Sequence, residues 1–127
     1  MAAASKTHVL ERVYNTIDSR RDEDTRKSYT ALLLTEGTRT IAKKLMEEST
    51  EAIVEALGRD RKGLVRESAD VLYHLLVLWA DVGVKPADVW REMERREGIS
   101  GIAEKKARPK RRATRRGWLP ARPRPWR

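Results

Sequence analysis

The sequence predicts an all-α protein, an antiparallel bundle of about five helices. Apolar residues recur at spacings of three and four in several stretches, which is the spacing of one helix face. Ser, Asp and Pro stand where these stretches begin, and Gly stands where they end. Phe is absent, and β-branched residues do not alternate with polar ones, so no stretch has the pattern of a strand.

The first two helices precede Gly37. In "THVLERVYNTIDSRR", Val9, Val13 and Ile17 form one apolar stripe at helical spacing. Ser28 has the side chain of an N-cap for a short second helix, "YTALLLTE". Gly37 follows directly and is expected to end that helix, because glycine accepts the backbone conformation of a helix end.

The third and fourth helices are joined by a short link. The third is expected to open at Thr38 or Thr40 and to end at Gly58. Asp60 is a suitable N-cap for the fourth, which ends at Gly83. So short a link predicts that the two helices lie side by side and antiparallel.

The fourth helix is apolar almost all round over residues 71–80, "VLYHLLVLWA". A helix of this kind is buried on most sides. In a chain of 127 residues, one way to bury it is a core that continues into a second copy, so we expect a homo-oligomer, most simply a dimer. A fifth helix, "PADVWREMERRE", starts with Pro86 in its first turn and ends before Gly98.

The positive charge of the chain lies in its last residues. Of 28 Lys and Arg, nine fall in residues 108–127, which hold none of the 19 acids, so residues 1–107 carry no net charge. Four of the five prolines also follow residue 107. We therefore predict a helical domain over residues 1–107 and a disordered basic extension over residues 108–127, which would bind polyanions weakly and without sequence preference.

Composition excludes several classes of site. The absence of Cys excludes disulfides and thiolate metal sites and leaves oxygen ligands. The N-terminus has no signal-like apolar run, and no stretch is long and apolar enough to span a bilayer, so a cytoplasmic protein without a membrane partner is expected. A helical adaptor or RNA-binding protein remains an alternative, favoured only by the basic extension.

Acidic residues form the main functional candidate. In "KKLMEESTEAIVEAL", Glu47, Glu48, Glu51 and Glu55 fall within about a quarter of the helix circumference at 100° per residue. In "ESAD", Glu67 and Asp70 share one face of the next helix, as does His74. Two antiparallel helices would bring these two acidic faces opposite each other.

Crowded carboxylates need a counter-charge or open water. Two of them about 6 Å apart repel by roughly 3 kcal/mol at an effective dielectric constant of about 20. A ligand set made only of oxygens suits Mg²⁺, with Mn²⁺ as a second choice, and Mg²⁺ usually joins carboxylates to substrate phosphates. The site thus points to phosphoanhydride chemistry, whereas the alternative is two ordinary solvated faces. His74 is interpreted as a core histidine, with a ligand or base role as the alternative.

These motifs resemble those of a known family. The segment "SYTALLLTEGTRTIAKKLMEESTE" and the segment starting "ESADVLYHLLVLWADVG" and ending "GIAEKKAR" are similar to phosphoribosyl-ATP pyrophosphatase, from about residue 10 to residue 108. The run E-E-x-x-E followed by E-x-x-D alone marks the broader MazG-like nucleotide pyrophosphohydrolase superfamily. The S-Y-T at 28–30 and the S-G-x-x-E-K at 100–105 mark the narrower family.

The resemblance implies an all-α, MazG-like fold and Mg²⁺-dependent hydrolysis of the α–β phosphoanhydride of phosphoribosyl-ATP, the second step of histidine biosynthesis. It implies catalytic metal ligands and substrate contacts at matching positions. The implied ligands are Glu48, Glu51, Glu67 and Asp70, with Glu47 as an extra acid, and the implied substrate contacts are Lys43, Lys44, Ser28, Thr30 and Lys105. For Lys43 and Lys44 the alternative is pairing with Glu47 and Glu48 along the helix.

Two positions depart from the family's usual pattern. Met46 and Ser49 flank the paired glutamates where the family usually has Gly and Ala. The basic extension is not part of the pattern either. A MazG-like pyrophosphohydrolase that acts on non-standard nucleoside triphosphates is therefore kept as the alternative function.

Overall fold

The computed structural model describes residues 8–109, and in that range every regular element is a helix, as the sequence predicts. The described residues divide into two compact units, residues 8–92 and residues 93–109. There are six helices in the described range: α1 (Val9–Ser19), α2 (Tyr29–Glu36), α3 (Thr38–Leu57), α4 (Arg61–Val82), α5 (Pro86–Arg96) and α6 (Gly101–Ala107).

The predicted helix ends follow from local hydrogen bonds. The hydroxyl of Ser28 accepts a 3.1 Å hydrogen bond from the amide of Ala31 and caps α2. The carboxylate of Asp60 accepts a 2.9 Å bond from the amide of Gly63 and caps α4. Gly83 closes α4 in the left-handed conformation, with φ of 89°. The boundaries expected from these residue types are confirmed.

The core of the first unit joins α1, α2, α3 and α4. Its fully buried side chains come from α1, α2, α3 and α4, and α3 packs along most of α4. On α1 the buried side chains are Tyr14 and Ile17, whereas Val9, which the sequence places on the apolar stripe, is 52% exposed. The largest fully buried residues are Ile17, Leu33, Ile41, Leu76 and Val77.

The apolar helix α4 is buried on one side within the chain. His74, Leu76, Val77 and Ala80 are buried, whereas Leu72 keeps 43% of its surface exposed. The rings of Trp79 and Trp90 meet edge to face at 6.0 Å, which covers the end of α4 with α5.

The second unit contains α6, a helix beyond the five expected. Ser100 caps it by accepting a 3.1 Å hydrogen bond from the amide of Ala103. Glu104 is buried and accepts hydrogen bonds from Arg95 at 2.6 Å and from Arg108 at 3.1 Å. The hydrogen bonds from Arg95 and Arg108 lower the pKa of Glu104, so they favour its ionised form.

The proposed domain boundary and the basic extension stay predictions. Residues 110–127 lie outside the described range, and so does nearly all of the expected extension at 108–127. Among the helices of residues 8–109, each is too short or too polar to cross a membrane.

Candidate metal centre

The candidate centre lies where α3 and α4 face each other. Three carboxylates, one from Glu48 on α3 and two from Glu67 and Asp70 on α4, each offer an oxygen within 4.8 Å of the others. All three side chains are partly buried. The antiparallel pairing predicted from the short link therefore brings both acidic motifs into one cluster, which we call the acidic centre.

Glu51 joins the acidic centre through Glu48. Burial, a hydrogen bond with Glu51 and the negative charges of Glu51, Asp70 and Glu67 raise the pKa of Glu48 to about 7. Carboxylates that share a site cannot all ionise freely, so a proton is retained near neutral pH. A divalent cation would replace that proton and neutralise the remaining charge.

One carboxylate oxygen in the acidic centre is buried without a hydrogen-bond donor. Oε2 of Glu67 accepts no hydrogen bond from any residue in the range 8–109. Its other oxygen lies 3.7 Å from Nε of Arg66, whose side chain is 65% exposed. A buried carboxylate oxygen without a partner costs free energy that a bound cation would recover. Three converging carboxylates, one of which has an oxygen without a donor, fit a hard divalent ion such as Mg²⁺.

Lysines flank the acids on α3. Nζ of Lys44 lies 3.4 Å from Oε1 of Glu47, and both side chains are roughly half exposed. The charge of Glu47 is the main cause that raises the pKa of Lys44. Lys43 is exposed. In this structure Lys44 and Glu47 therefore form the ion pair along the helix that was the alternative to substrate and metal contacts. Glu47 lies outside the three-oxygen group.

A polar cluster connects α2 to α4 beside the acidic centre. Nδ1 of His74 lies 2.8 Å from the carbonyl oxygen of Asp70. Because a carbonyl can only accept, Nδ1 carries the hydrogen, and Nε2 accepts from the hydroxyl of Tyr29 at 3.2 Å. Thr30 and Tyr73 are hydrogen-bonded through their hydroxyls. His74 is therefore a satisfied core histidine.

The remaining predicted contacts fall into two places. Ser28 is buried and uses its hydroxyl as the α2 cap, whereas its neighbour Tyr29 is 48% exposed. Partial burial raises the pKa of Tyr29, and the positive charge of Lys44 opposes this rise. The S-Y-T segment therefore lies within electrostatic reach of α3 near the acidic centre. Lys105 is exposed on α6 in the second unit.

The sequence alone assigns no role to Tyr29, Tyr73 or Arg66, although Tyr29 and Tyr73 lie within the segments that resemble the family. Tyr73 and His74 follow Asp70 by three and four residues, which places them within one turn of the acid. That spacing is a usable signal for Tyr73. Arg66 gives no comparable signal, because a basic residue beside an acid on a helix is common.

Comparisons with known proteins agree with the geometry. The family model described as phosphoribosyl-ATP pyrophosphohydrolase matches residues 10–97. Over 102 residues the chain is 56% identical to the phosphoribosyl-ATP pyrophosphatase of Gluconobacter oxydans strain 621H, covering 80% of this chain and 77% of the relative. The enzyme of the same name from Granulibacter bethesdensis is 54% identical over 102 residues, covering 80% of this chain and 64% of the relative.

A third relative is matched over nearly its whole length. The phosphoribosyl-ATP pyrophosphatase of Paramagnetospirillum magneticum strain AMB-1 is 54% identical over 107 residues, which is 84% of this chain and 98% of the relative. The range 10–97 contains α1 from its second residue, all of α2 to α5 and the whole acidic centre. This chain belongs to the phosphoribosyl-ATP pyrophosphohydrolase family.

Proposed function

We propose that the chain hydrolyses the α–β phosphoanhydride of phosphoribosyl-ATP and releases phosphoribosyl-AMP and pyrophosphate, with Mg²⁺ held at the acidic centre. The observation that carries the proposal is the convergence of Glu48, Glu67 and Asp70 oxygens within 4.8 Å in a chain of this family. This would be the second step of histidine biosynthesis. The proposal includes the cytoplasmic location that we expect from the sequence.

Each acid has a place in this proposal. Glu48, Glu67 and Asp70 would hold the ion, with Mn²⁺ as a possible substitute. A Mg²⁺ ion held by these residues would supply Lewis-acid chemistry, namely stabilisation of developing negative charge and a lowered pKa of the attacking water. The proton of that water would pass to Glu51, which interacts with Glu48 through a hydrogen bond and lies outside the three-oxygen group.

Cations near the acidic centre are proposed to hold the substrate. Lys44 faces Glu47 in the free protein through a partly exposed pair, which is weak and can be exchanged for a phosphate contact. Lys43, Thr30, Ser28 and Lys105 stay proposed contacts from the family resemblance. For Ser28 the contact would come from its backbone or from its role in placing Tyr29, since its hydroxyl is used as a cap.

A homodimer is part of the proposal. Along α3, Met46, Ile53 and Leu57 recur on one face, and they are 71%, 58% and 79% exposed. On the adjoining α4, Val65 is 72% exposed and Leu72 is 43% exposed. A row of large apolar side chains on two neighbouring helices is typical of a surface that is covered in an assembly. A second copy that packs there would extend the helical bundle.

The test of the activity is pyrophosphate release by purified protein. Phosphoribosyl-ATP should be cleaved in the presence of Mg²⁺ and not after chelation by EDTA, and activity should return on adding Mg²⁺. Non-standard nucleoside triphosphates, offered in parallel, should be poorer substrates by kcat/KM. Efficient cleavage of these nucleotides without cleavage of phosphoribosyl-ATP would overturn the assignment of the substrate.

A further inference from the structure

A cavity of about 340 Å³ lies between α1, α2 and α4, separate from the carboxylates of the acidic centre. Its polar lining consists of Arg12 and Thr16 from α1, Arg20 directly after the end of α1, Thr30 from α2 and Tyr73 from α4. Apolar side chains of α1 complete the wall. A volume of this size lies at the lower end of ligand pockets and suits part of a nucleotide-sized molecule.

The charge of the cavity is the opposite of that of the acidic centre. Arg12 and Arg20 are eight residues apart, which is about 12 Å along the α1 axis. Guanidinium groups bind phosphate oxygens in a bidentate manner. Arg20 lies 3.3 Å from Glu23, and both side chains are 46% exposed, so this surface pair contributes little and can yield to a phosphate.

The cavity shares a wall with the elements that carry the acidic centre. Tyr73 lies three residues after Asp70 on α4, about 4.5 Å further along the axis and about 60° around it. The ring of Tyr73 meets the ring of His74 at 5.1 Å, and His74 donates to the carbonyl of Asp70. Thr30, which is hydrogen-bonded to Tyr73, forms the α2 side of the same wall. The cavity and the acidic centre are therefore connected through the turn of α4 that carries Asp70 and Tyr73.

The substrate of the proposed reaction has two phosphorylated ends. One ribose of phosphoribosyl-ATP carries the triphosphate that is cleaved, and the other carries a 5-phosphate on the far side of the purine ring. The acidic centre repels a phosphate unless a cation intervenes, whereas the two arginines attract it directly. We infer that the cavity lined by Arg12, Arg20, Thr30 and Tyr73 is the subsite for the ribose 5-phosphate arm of the substrate. This inference rests on the proposed function and names the part of the site that recognises the second ribose.

The inference also accounts for a cavity that combines cations with an aromatic and apolar wall. A bare anion needs only the two guanidinium groups. A sugar phosphate joined to a purine presents an anionic end and a flat apolar surface, and the wall formed by Tyr73 and the α1 valines matches the second feature. The subsite would let the enzyme discriminate between phosphoribosyl-ATP and ATP, because ATP lacks the ribose 5-phosphate arm.

The test compares two ligands that differ only in this arm. Binding of phosphoribosyl-AMP and of AMP to the full-length protein is measured by isothermal titration calorimetry without divalent ions. The wild type should bind phosphoribosyl-AMP at least tenfold more tightly than AMP. Arg12→Gln and Arg20→Gln should each reduce this preference at least fivefold, and the double variant should abolish it. Ribose 5-phosphate and inorganic phosphate, titrated separately, show whether the sugar contributes beyond the anion.

A matched control is available in the loop after α1. Arg26 pairs only with its near neighbour Asp24 among the contacts described and is 87% exposed, so Arg26→Gln removes a charge outside the cavity and should keep the wild-type preference. Thermal unfolding of each variant shows that the fold is retained. Arg12→Lys and Arg20→Lys, which keep the charge and lose the bidentate geometry, should keep part of the preference.

Two outcomes would overturn the inference. The first is a wild type that binds phosphoribosyl-AMP no better than AMP, including the case in which neither binds. The second is a preference that survives in the double arginine variant. Pyrophosphate release from phosphoribosyl-ATP is measured on the same samples. If phosphoribosyl-ATP is cleaved but phosphoribosyl-AMP binds no more tightly than AMP, the subsite alone is overturned. If phosphoribosyl-AMP binds more tightly but phosphoribosyl-ATP is not cleaved, the subsite stands and the proposed function is overturned.

Discussion

At the scale of single residues, the acidic centre is a group of carboxylates whose charges oppose one another in the absence of a cation. Oε2 of Glu67 is buried and without a hydrogen-bond donor in the range 8–109, and the pKa of Glu48 is raised to about 7. Such residues reduce the stability of the free protein, because the charged forms lack compensation. A site of this kind is kept for ligand binding rather than for folding.

We expect Glu67→Gln and Glu51→Gln each to lower kcat/KM for pyrophosphate release at least a hundredfold. Without Mg²⁺, each variant should stay folded or become slightly more stable than the wild type. Each change deletes a carboxylate oxygen and relieves repulsion from the others. Enzyme assays and thermal unfolding in EDTA measure the two effects. Glu36→Gln, at the exposed end of α2, serves as the control and should change neither. Near-normal Mg²⁺-dependent turnover in Glu67→Gln would contradict the metal assignment.

The pKa of Glu48 predicts a pH dependence of stability in the absence of divalent ions. The folded protein retains a proton up to about pH 7, whereas the unfolded chain releases it near the ordinary value of 4.5. Between these two values the native state binds more protons than the unfolded state, so the free energy of unfolding falls as pH rises. Urea midpoints in EDTA at pH 5, 6, 7 and 8 should show this fall.

Two comparisons isolate the contribution of Glu48. Glu48→Gln removes the titrating group and should flatten the decline between pH 5 and 7. Adding Mg²⁺ should also flatten it, because the ion stabilises the ionised carboxylates that accumulate as pH rises. A wild type whose urea midpoint rises between pH 5 and 7 in EDTA would show that the pKa of Glu48 is not raised.

At the scale of elements, helix ends could be predicted from sequence because their stabilising contacts are local. Ser28 and Asp60 accept from amides three residues ahead, and Gly83 supplies the left-handed turn. The sixth helix was missed because its seven residues are too few to show periodicity. Its stability comes from the buried Glu104, which accepts from Arg95, and this contact is not evident from sequence.

The acidic centre was predictable in outline and the surrounding polar contacts were not. Two acidic motifs on helices with a short link must face each other if the helices pair. The hydrogen bonds of Tyr29 with His74 and of Thr30 with Tyr73 depend on how α2 crosses α4, which periodicity does not specify. The cavity lined by Arg12, Arg20, Thr30 and Tyr73 likewise depends on how the helices pack, which periodicity does not specify.

The start of α4 offers a prediction at this scale. A Cβ added to Gly63 would lie 1.7 Å from Oε2 of Glu55 and 2.8 Å from Oδ2 of Asp60. Glycine to alanine normally stabilises a helix interior by about 0.5–1 kcal/mol. Here Gly63→Ala should instead destabilise the protein by about 1 kcal/mol, because Glu55 and the α4 cap must both move.

A double-mutant cycle checks the cause. In the Glu55→Ala background the carboxylate that blocks the added methyl group is absent, so Gly63→Ala should cost clearly less or become stabilising. Urea unfolding of the four proteins gives the coupling free energy, which should be at least about 1 kcal/mol. Equal effects of Gly63→Ala in both backgrounds would show that Glu55 is not the obstacle.

At the scale of the whole molecule, the exposed apolar rows of α3 and α4 predict self-association. The protein should sediment as a dimer at micromolar concentration in analytical ultracentrifugation. Ile53→Glu places a charge on the 58% exposed row and should shift the protein towards monomer while the fold persists. Ile102→Glu, at a 73% exposed position in the second unit, is the control and should leave the dimer intact.

Sedimentation of the wild type as a monomer would rule out the proposed dimer. Trp79→Glu, within the apolar run at 71–80, would be a poor test of assembly. The side chain of Trp79 packs against the core of its own chain and against Trp90, so its replacement would damage the fold as well as any interface.

The last prediction concerns the basic extension. We expect removal of residues 109–127 to leave the fold and the hydrolysis of phosphoribosyl-ATP nearly unchanged. The truncation must keep Arg108, because this residue donates to the buried Glu104 at 3.1 Å. Residues 1–107 have equal numbers of acidic and basic residues, so they do not need further cations to offset a net negative charge. The acidic centre is proposed to take Mg²⁺, and the cavity on α1 already supplies Arg12 and Arg20 for a phosphate.

The competing idea is that arginines of the extension reach an active site, in the same chain or in a partner, and hold substrate phosphates. The Michaelis constants of the truncated and full-length proteins, measured at low and moderate salt, separate the two. A small difference at low salt that disappears at moderate salt would reflect only unspecific attraction of the polyanionic substrate to the extension. A rise of tenfold or more on truncation at both salt concentrations, about 1.4 kcal/mol of lost binding, would place the extension in the site. In that case the catalytic unit would include residues beyond the helical domain.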